Sequence, residues 1–370
     1  MSSRTGFGRW LADLSSRTGV ELGSVEQPLV SVIIPAYMAA GRIRATLDSV
    51  FAQTYPNVEV VLVNDGSPDT AALEVAIQGY DGRLIYIRQE NRGPSGARNT
   101  AIRAARGKYI ACLDSDDVYL PEHLSRQVAM LERDGLALTY SDSQIFRNGV
   151  PAGRAFEHEP QHPPVSFEKL LKEECCVMTS AVVASRQAMM DAGLFDERFR
   201  RCEDFDLWLR MSFRGGRMDF DRGVGIEHRL LPTGLSSDGY LLKQGRIEIY
   251  KKTLDTLSLS PAQRELIRDL IAMTEGKSQM DMVKRHVREG RYEEAAAAAQ
   301  RASVLLQDRK SRWTAWALRT MPRAVGGYLG FRESVAARKR KRDAGSNGNL
   351  KTQDGSVQLQ SEELAGRNQS

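Results

Sequence analysis

Apolar residues in the first 140 positions fall into short unbroken runs, and stretches of helical spacing separate them. Leu29-Val30-Ser31-Val32-Ile33-Ile34 is the first run, and Pro35 is expected to stop it. Ile43, Leu47 and Val50 then recur at helical spacing, up to Tyr55-Pro56. A second run, 58–63, leads into the turn Asp65-Gly66-Ser67-Pro68. A helix over 70–79, a strand over 84–87 and a small-residue helix over 94–106 come after it. Lys108-Tyr109-Ile110-Ala111-Cys112-Leu113 is the fourth run. A helix carrying Leu124, Val128 and Leu131 comes next, then a strand over 136–140. This alternation predicts an α/β fold with a mostly parallel, Rossmann-like sheet covered by helices on both faces. Unbroken apolar strands suit a sheet buried on both sides. In a doubly wound sheet, strands one and four flank the ligand crevice. That topology would bring Tyr37, Asp65 and Asp114 to one edge.

The texture changes near residue 240. The expected organisation is a lead-in over 1–28, an α/β domain over 29–240, a smaller helical region over 241–335 and a basic, then polar and disordered tail over 336–370. Residues 289–295 resemble half of a tetratricopeptide hairpin, but no second copy supports a repeat array. Charge sharpens the division. Residues 310–342 hold ten Lys/Arg and one acid, a net of +9, so the rest of this +5 chain sums to −4. The basicity is local, and nucleic-acid binding by the main domain is not indicated. Trp313, Trp316, Leu318, Met321, Tyr328 and Phe331 interleave with those charges. The mixture suits an interfacial helix on an anionic membrane, or a docked helical hairpin with a solvated basic tail. Cys112, Cys175, Cys176 and Cys202 lack paired zinc spacing and read as reduced thiols. With no long apolar run, the expected location is cytoplasmic, with peripheral contact at the inner membrane face through 310–342.

The chemistry-bearing signal is Asp114-Ser115-Asp116-Asp117 behind the fourth strand. Carboxylates this close repel one another unless a cation neutralises them. A second acidic centre, Glu203-Asp204-Phe205-Asp206, precedes Leu207-Trp208-Leu209-Arg210. It also reads as an ordinary helix start, where acids are favoured.

Five pieces in order, Val32-Ile33-Ile34-Pro35-Ala36-Tyr37, Asn64-Asp65-Gly66-Ser67, Ala97-Arg98-Asn99, Leu113-Asp114-Ser115-Asp116-Asp117 and Glu203 to Arg210, resemble glycosyltransferase family 2. The resemblance covers about residues 29–236. It implies a GT-A fold and inverting, metal-dependent transfer from a nucleotide-diphospho-sugar, favoured as a UDP- or dTDP-sugar. It implies a glycan, lipid-linked or protein acceptor, in cell-envelope or other glycan biosynthesis. It further implies Asp204 as the base, with Glu203 and Asp206 supporting it or touching the acceptor. Pro35, Ala36, Tyr37, Asp65, Arg98 and Asp114 would hold the nucleotide. Asp116, with Asp114 and His228 as further candidates, would hold Mn²⁺ or Mg²⁺. Arg229 would meet the diphosphate, beside a closing loop at 232–236. For Arg98 an ion pair to Asp114 or Asp65 is the competing reading, and for His228 a structural role.

Two other classes compete. Asp114-Ser115-Asp116-Asp117-Val118 also matches the haloacid-dehalogenase phosphohydrolase signature, although that motif normally sits on the first strand. A non-catalytic glycan- or nucleotide-binding module on a transferase scaffold is the other. A dehydrogenase is disfavoured, since no Gly-x-Gly-x-x-Gly follows the first strand.

Overall fold

A computed structural model describes residues 27–159, 161–230, 238–324 and 327. The lead-in apart from residues 27 and 28, the loop at 232–236, Tyr328, Phe331 and the tail from 336 lie outside the described residues.

Strands β1 (Val30–Ala36), β2 (Val58–Asp65), β3 (Ile85–Gln89) and β4 (Tyr109–Cys112) pair in parallel in the order β3-β2-β1-β4. Helices α1 (Ile43–Phe51), α2 (Thr70–Ala76) and α3 (Gly93–Ala104) connect them. Strand order reverses between β1 and β4, so the expected switch-point crevice is present. Pro35 does not stop β1; the strand continues to Ala36, opposite Asn64. The β1–β4 ladder ends at Ile33 opposite Cys112, where Leu113 N–H donates to the Ile33 carbonyl at 3.1 Å. By the two-residue period of a strand, Pro35 turns its backbone toward β4 where that ladder has ended. Its missing N–H therefore costs no sheet bond there.

Beyond β4 the sheet is mixed. β5 (Val118–Tyr119), β6 (Leu138–Arg147), β7 (Val150–Arg154), β8 (Val182–Ser185) and β9 (Met218–Leu230) extend it as β4-β8-β6-β9-β5, with β7 on β6. β8 runs antiparallel to β4 and β6, β5 to β9 and β7 to β6, while β6 and β9 are parallel. The all-parallel pairing thus belongs to the first half, and the second half is mixed. After the acidic turn, hairpins and loops replace several crossover helices. Asn148 and Gly149, at φ 53° and 76°, form the two-residue turn between β6 and β7. β6 also outruns the expected end at Tyr140. Its Ser141, Asp142 and Ser143 are buried, and Asp142 accepts from Phe156 N–H and the Arg154 guanidinium. A polar strand interior satisfied in this way carries no hydrophobic signature.

The remaining helices are α4 (His123–Asp134), α5 (Ala155–His158), α6 (Phe167–Leu171), α7 (Arg186–Asp191), α8 (Glu203–Phe213), α9 (Gly239–Thr256), α10 (Pro261–Arg288), α11 (Tyr292–Leu306) and α12 (Arg309–Thr320). The chain forms two compact units, 1–271 and 272–370. The first extends past residue 240 because α9 buries Ile249 and Tyr250 in the same core as Ile33, Leu62, Ile110 and Trp208. The Tyr250 hydroxyl also donates to the Leu171 carbonyl at 2.8 Å. In the second unit, Ala295, Ala298 and Ala299 of α11 form a small core with Ala315 and Leu318 of α12. The four cysteines are free thiols.

His123 is sealed in the main core. Its ring lies 4.5 Å from that of Tyr119, and Nδ1 is 3.4 Å from Ser141 Oγ. A Cβ at Gly225 would lie 2.4 Å from that nitrogen, so glycine is required there. Burial, then the Arg126 charge, lowers the His123 pKa to about 3. Unfolded chains protonate this group near pH 6.5 and the folded protein only near 3, so stability falls as pH drops through that window. Urea unfolding between pH 7 and 4 should show this loss. His123→Phe, which cannot titrate, should flatten the slope by up to roughly 1.4 kcal/mol per pH unit; an unchanged slope contradicts the assignment.

Candidate active site

The crevice is lined by the segments that leave β1, β2 and β4. Tyr37 and Met38 leave β1 and are half-exposed, whereas Ala36 is fully buried. The loops after β1 and β2 are tied together: Met38 N–H donates to Ser67 Oγ at 2.7 Å, and Ala40 N–H to Asp69 Oδ2 at 2.9 Å. Asp65, at the end of β2, is buried, and its Oδ1 accepts from Gln89 Nε2 at 2.7 Å and Arg92 N–H at 2.8 Å. Gly66 comes next at φ 63°, and a Cβ there would meet Asn91 N at 2.7 Å. The turn and the acid are thus both built into the contact with loop 89–92.

The Asp114–Asp117 turn is held from three sides. Thr46 Oγ1, on α1, donates to the Asp117 carbonyl at 2.9 Å and lies 3.1 Å from that of Ser115. Asp114 N–H donates to Ser180 Oγ at 3.1 Å. Asp117 is buried and accepts from Arg229 N–H at 2.9 Å, with His228 Nδ1 at 3.1 Å from its Oδ2. Asp117 therefore fastens the turn to β9. Among the described residues Asp116 has no such anchor. Burial, then the charges of Asp117 and Asp114, raises its pKa to about 6, against the pull of Arg42. His228 is pulled down by burial but raised overall by Asp117, Asp114 and Asp116.

Arg98 makes the expected ion pair to Asp114. It is buried, with Nη2 at 2.6 Å from Asp114 Oδ1 and Nη1 at 2.7 Å from Glu203 Oε1. Burial alone would lower its pKa, but Asp114 and Glu203 hold it above the ordinary arginine range. Its guanidinium lies 5.4 Å from the Phe195 ring, which packs edge-on against Trp208. Asn99 exchanges two bonds with the Phe195 backbone, at 2.8 and 3.0 Å. Arg98-Asn99 thus join the strand bearing the first acidic centre to the helix bearing the second.

Helix α8 splits its acids by role. Glu203 is buried against Arg98; burial, then the Asp204 charge, pushes its carboxyl up despite that arginine. Asp206 is buried and bound by Arg210 and Lys252, at 2.6 Å each. Both carboxylates are thus engaged in ion pairs on either side of Asp204. Asp204 is part-exposed, with Thr179 Oγ1 donating to its Oδ2 at 2.6 Å. Thr179 and Ser180, in the turn before β8, carry no sequence signal of their own; a Thr-Ser pair has no pattern to find it by. Arg229 is anchored through its backbone, and its side chain is 3.8 Å from Glu227.

A profile for the family described as Glycosyl transferase family 2 matches residues 31–186. The Escherichia coli UDP-Glc:alpha-D-GlcNAc-diphosphoundecaprenol beta-1,3-glucosyltransferase WfgD is 35% identical over 214 residues, covering 57% of this chain and 81% of that protein. The chain belongs to glycosyltransferase family 2. An uncharacterized glycosyltransferase of Rickettsia prowazekii is 31% identical over 219 residues, 56% of this chain and 65% of that protein. The chain spans about a third of the length of the Rickettsia felis and Rickettsia bellii relatives, 34% and 30%. Among solved structures, Staphylococcus aureus TarS 1–349 with UDP-GlcNAc aligns at TM-score 0.56 and 17% identity, over 79% of this chain and 91% of that one. The fold is GT-A type. For this member of family 2, the motif position also argues against the dehalogenase reading, because the acidic turn follows the fourth strand, not the first.

Removing Arg98 should leave a carboxylate buried without a partner. Arg98→Met is expected to lose about 3–5 kcal/mol in urea unfolding, with part of that recovered in Arg98→Met/Glu203→Met. Additive losses in the double variant would show that the two groups do not act as a pair.

Proposed function

We propose that this protein transfers a glycosyl group, with inversion, from a UDP- or dTDP-sugar to a hydroxyl of a lipid-linked saccharide. The observation that carries the reading is the Arg98 bridge, which sets Asp204 beside the crevice that holds the acidic turn. Solved structures with this fold are named for complexes with UDP-GlcNAc and with GDP-Man and Mn²⁺. The Escherichia coli relative WfgD is named for a diphosphoundecaprenol-linked acceptor.

In this reading the base lies between Tyr37 and Asp65. The exposed Tyr37 ring supplies a stacking face, and Asp65 and the Pro35 carbonyl supply acceptors for base N–H groups. Asp114 and Arg229 face the ribose and diphosphate. The side chains suit a divalent cation. Among the described residues no three His, Cys, Asp or Glu side chains converge as a closed cage. Mg²⁺ and Mn²⁺ need only one or two carboxylates when phosphate oxygens complete the shell. Asp116, whose carboxyl is crowded by like charges, would hold the cation. His228 would join it through Nε2, since Nδ1 faces Asp117 in the carboxylate–histidine pairing common behind metal ligands. Such a cation stabilises charge on the departing diphosphate.

The chain's own contribution is proton removal and alignment. Asp204 takes the acceptor hydroxyl proton as that oxygen attacks the anomeric carbon from the face opposite the diphosphate. The carboxylate need not be a strong base, because the proton becomes acidic as the new bond forms. Thr179 fixes its rotamer, and the start of α8 mounts it rigidly.

Asp204→Asn should retain the UDP-induced thermal shift but lose about 10²–10⁴-fold in UDP release coupled to transfer. Wild-type turnover in that variant would overturn the assignment. Asp116→Ala should abolish the Mn²⁺-dependent part of the UDP shift; a full shift would remove its metal role. Thr179→Val should lower kcat by roughly tenfold with donor KM unchanged; a change confined to KM would place Thr179 in donor binding.

A further inference from the structure

Helix α12 carries a face that the functional reading does not use. Trp313 and Trp316 are 58% and 54% exposed, an unusual state for the largest apolar side chain. At about 100° per residue, Arg309, Arg312, Trp313, Trp316, Arg319 and Thr320 share an arc of roughly 120°. All six are exposed, while Ser311, Ala315 and Leu318 on the opposite side are buried. The acid at the start of this helix is Asp308, and its carboxylate is taken up there, accepting from Ser311 N–H at 2.6 Å and Ser311 Oγ at 2.8 Å. Residues 309–332 contain six Lys/Arg and no Asp or Glu. Arg323, just past the helix, is exposed as well.

We propose that this face of α12 is a docking surface for an anionic lipid bilayer. Two indoles three residues apart can enter the headgroup region side by side, since an indole has an apolar body and one polar N–H. The arginines beside them keep their guanidiniums at phosphate level while their methylene stems lie along the apolar zone. A one-sign charge set with no acid complements an anionic leaflet, not a mixed-charge protein surface. Among the described residues no helix is long and apolar enough to cross a membrane, so the contact is interfacial. Docking would concentrate the enzyme where lipid-linked substrates reside. The inference rests on the α12 geometry and stands whether or not the proposed transfer reaction does.

The test uses the full chain with vesicles of phosphatidylglycerol in phosphatidylcholine, and of phosphatidylcholine alone. Co-sedimentation should appear with the anionic vesicles, weaken as NaCl rises, and accompany a blue shift of tryptophan emission. Trp313→Ala/Trp316→Ala, and separately Arg309→Gln/Arg312→Gln, should each reduce binding about tenfold or more. Both variants should keep the wild-type Tm and UDP-induced thermal shift, because the replaced side chains are exposed. Equal binding to neutral vesicles, or wild-type binding by the tryptophan variant, would overturn the proposal. So would a wild-type dimer in light scattering that the tryptophan variant dissolves, since the face would then be covered by a second copy.

Discussion

The guanidinium of Arg98, buried between Asp114 and Glu203, is the contact on which the geometry of the site depends. Strand β4 delivers one acidic centre and helix α8 the other, about ninety residues apart in sequence. Without a cation between them, Asp114 and Glu203 would repel across a poorly hydrated gap. With it, each charge is compensated and the separation of the two centres is set by one rigid, planar group. Phe195 and Trp208 form an apolar wall beside the Arg98 guanidinium, and Asn99 ties that wall back to α3.

Neighbouring acids consequently do different work according to what compensates them. Asp117 and Asp206 are buried and fully bound, to β9 and to Arg210 with Lys252, and they hold elements together. Asp116 and Asp204 are less enclosed, and the proposed reading gives them the ligand-facing work. In the proposed reading a cluster of three acids in four residues serves as both scaffold and site: each structural acid removes freedom from the turn on which its neighbour sits.

Much of this is legible in the sequence. The alternation of runs and helical spacings yields β1 to β4 and the crevice, because a doubly buried parallel strand has few ways to be written. The five motifs mark the crevice residues and α8. The hidden features depend on tertiary compensation. That Arg98 bridges Asp114 and Glu203 depends on a contact between residues about a hundred positions apart. The polar middle of β6 hides a strand because Asp142 and its neighbours are satisfied inside. Thr179 reaches Asp204 across the fold, with no local pattern to announce it. The Asn148-Gly149 turn, by contrast, is a local hairpin signal that a strand–helix reading passes over. Polar texture near residue 240 suggests a domain end, yet α9 sends Ile249 and Tyr250 back into the core.

The central claim is a single displacement, with Asp204 activating the acceptor hydroxyl on the face opposite the diphosphate. Its most direct measurement is the anomeric configuration of the product. An α-linked UDP-glucose donor and a GlcNAc-diphospho-lipid acceptor would be incubated with the enzyme, and the new linkage read by proton NMR. A single displacement predicts a β-linkage. An α-linked product would contradict it.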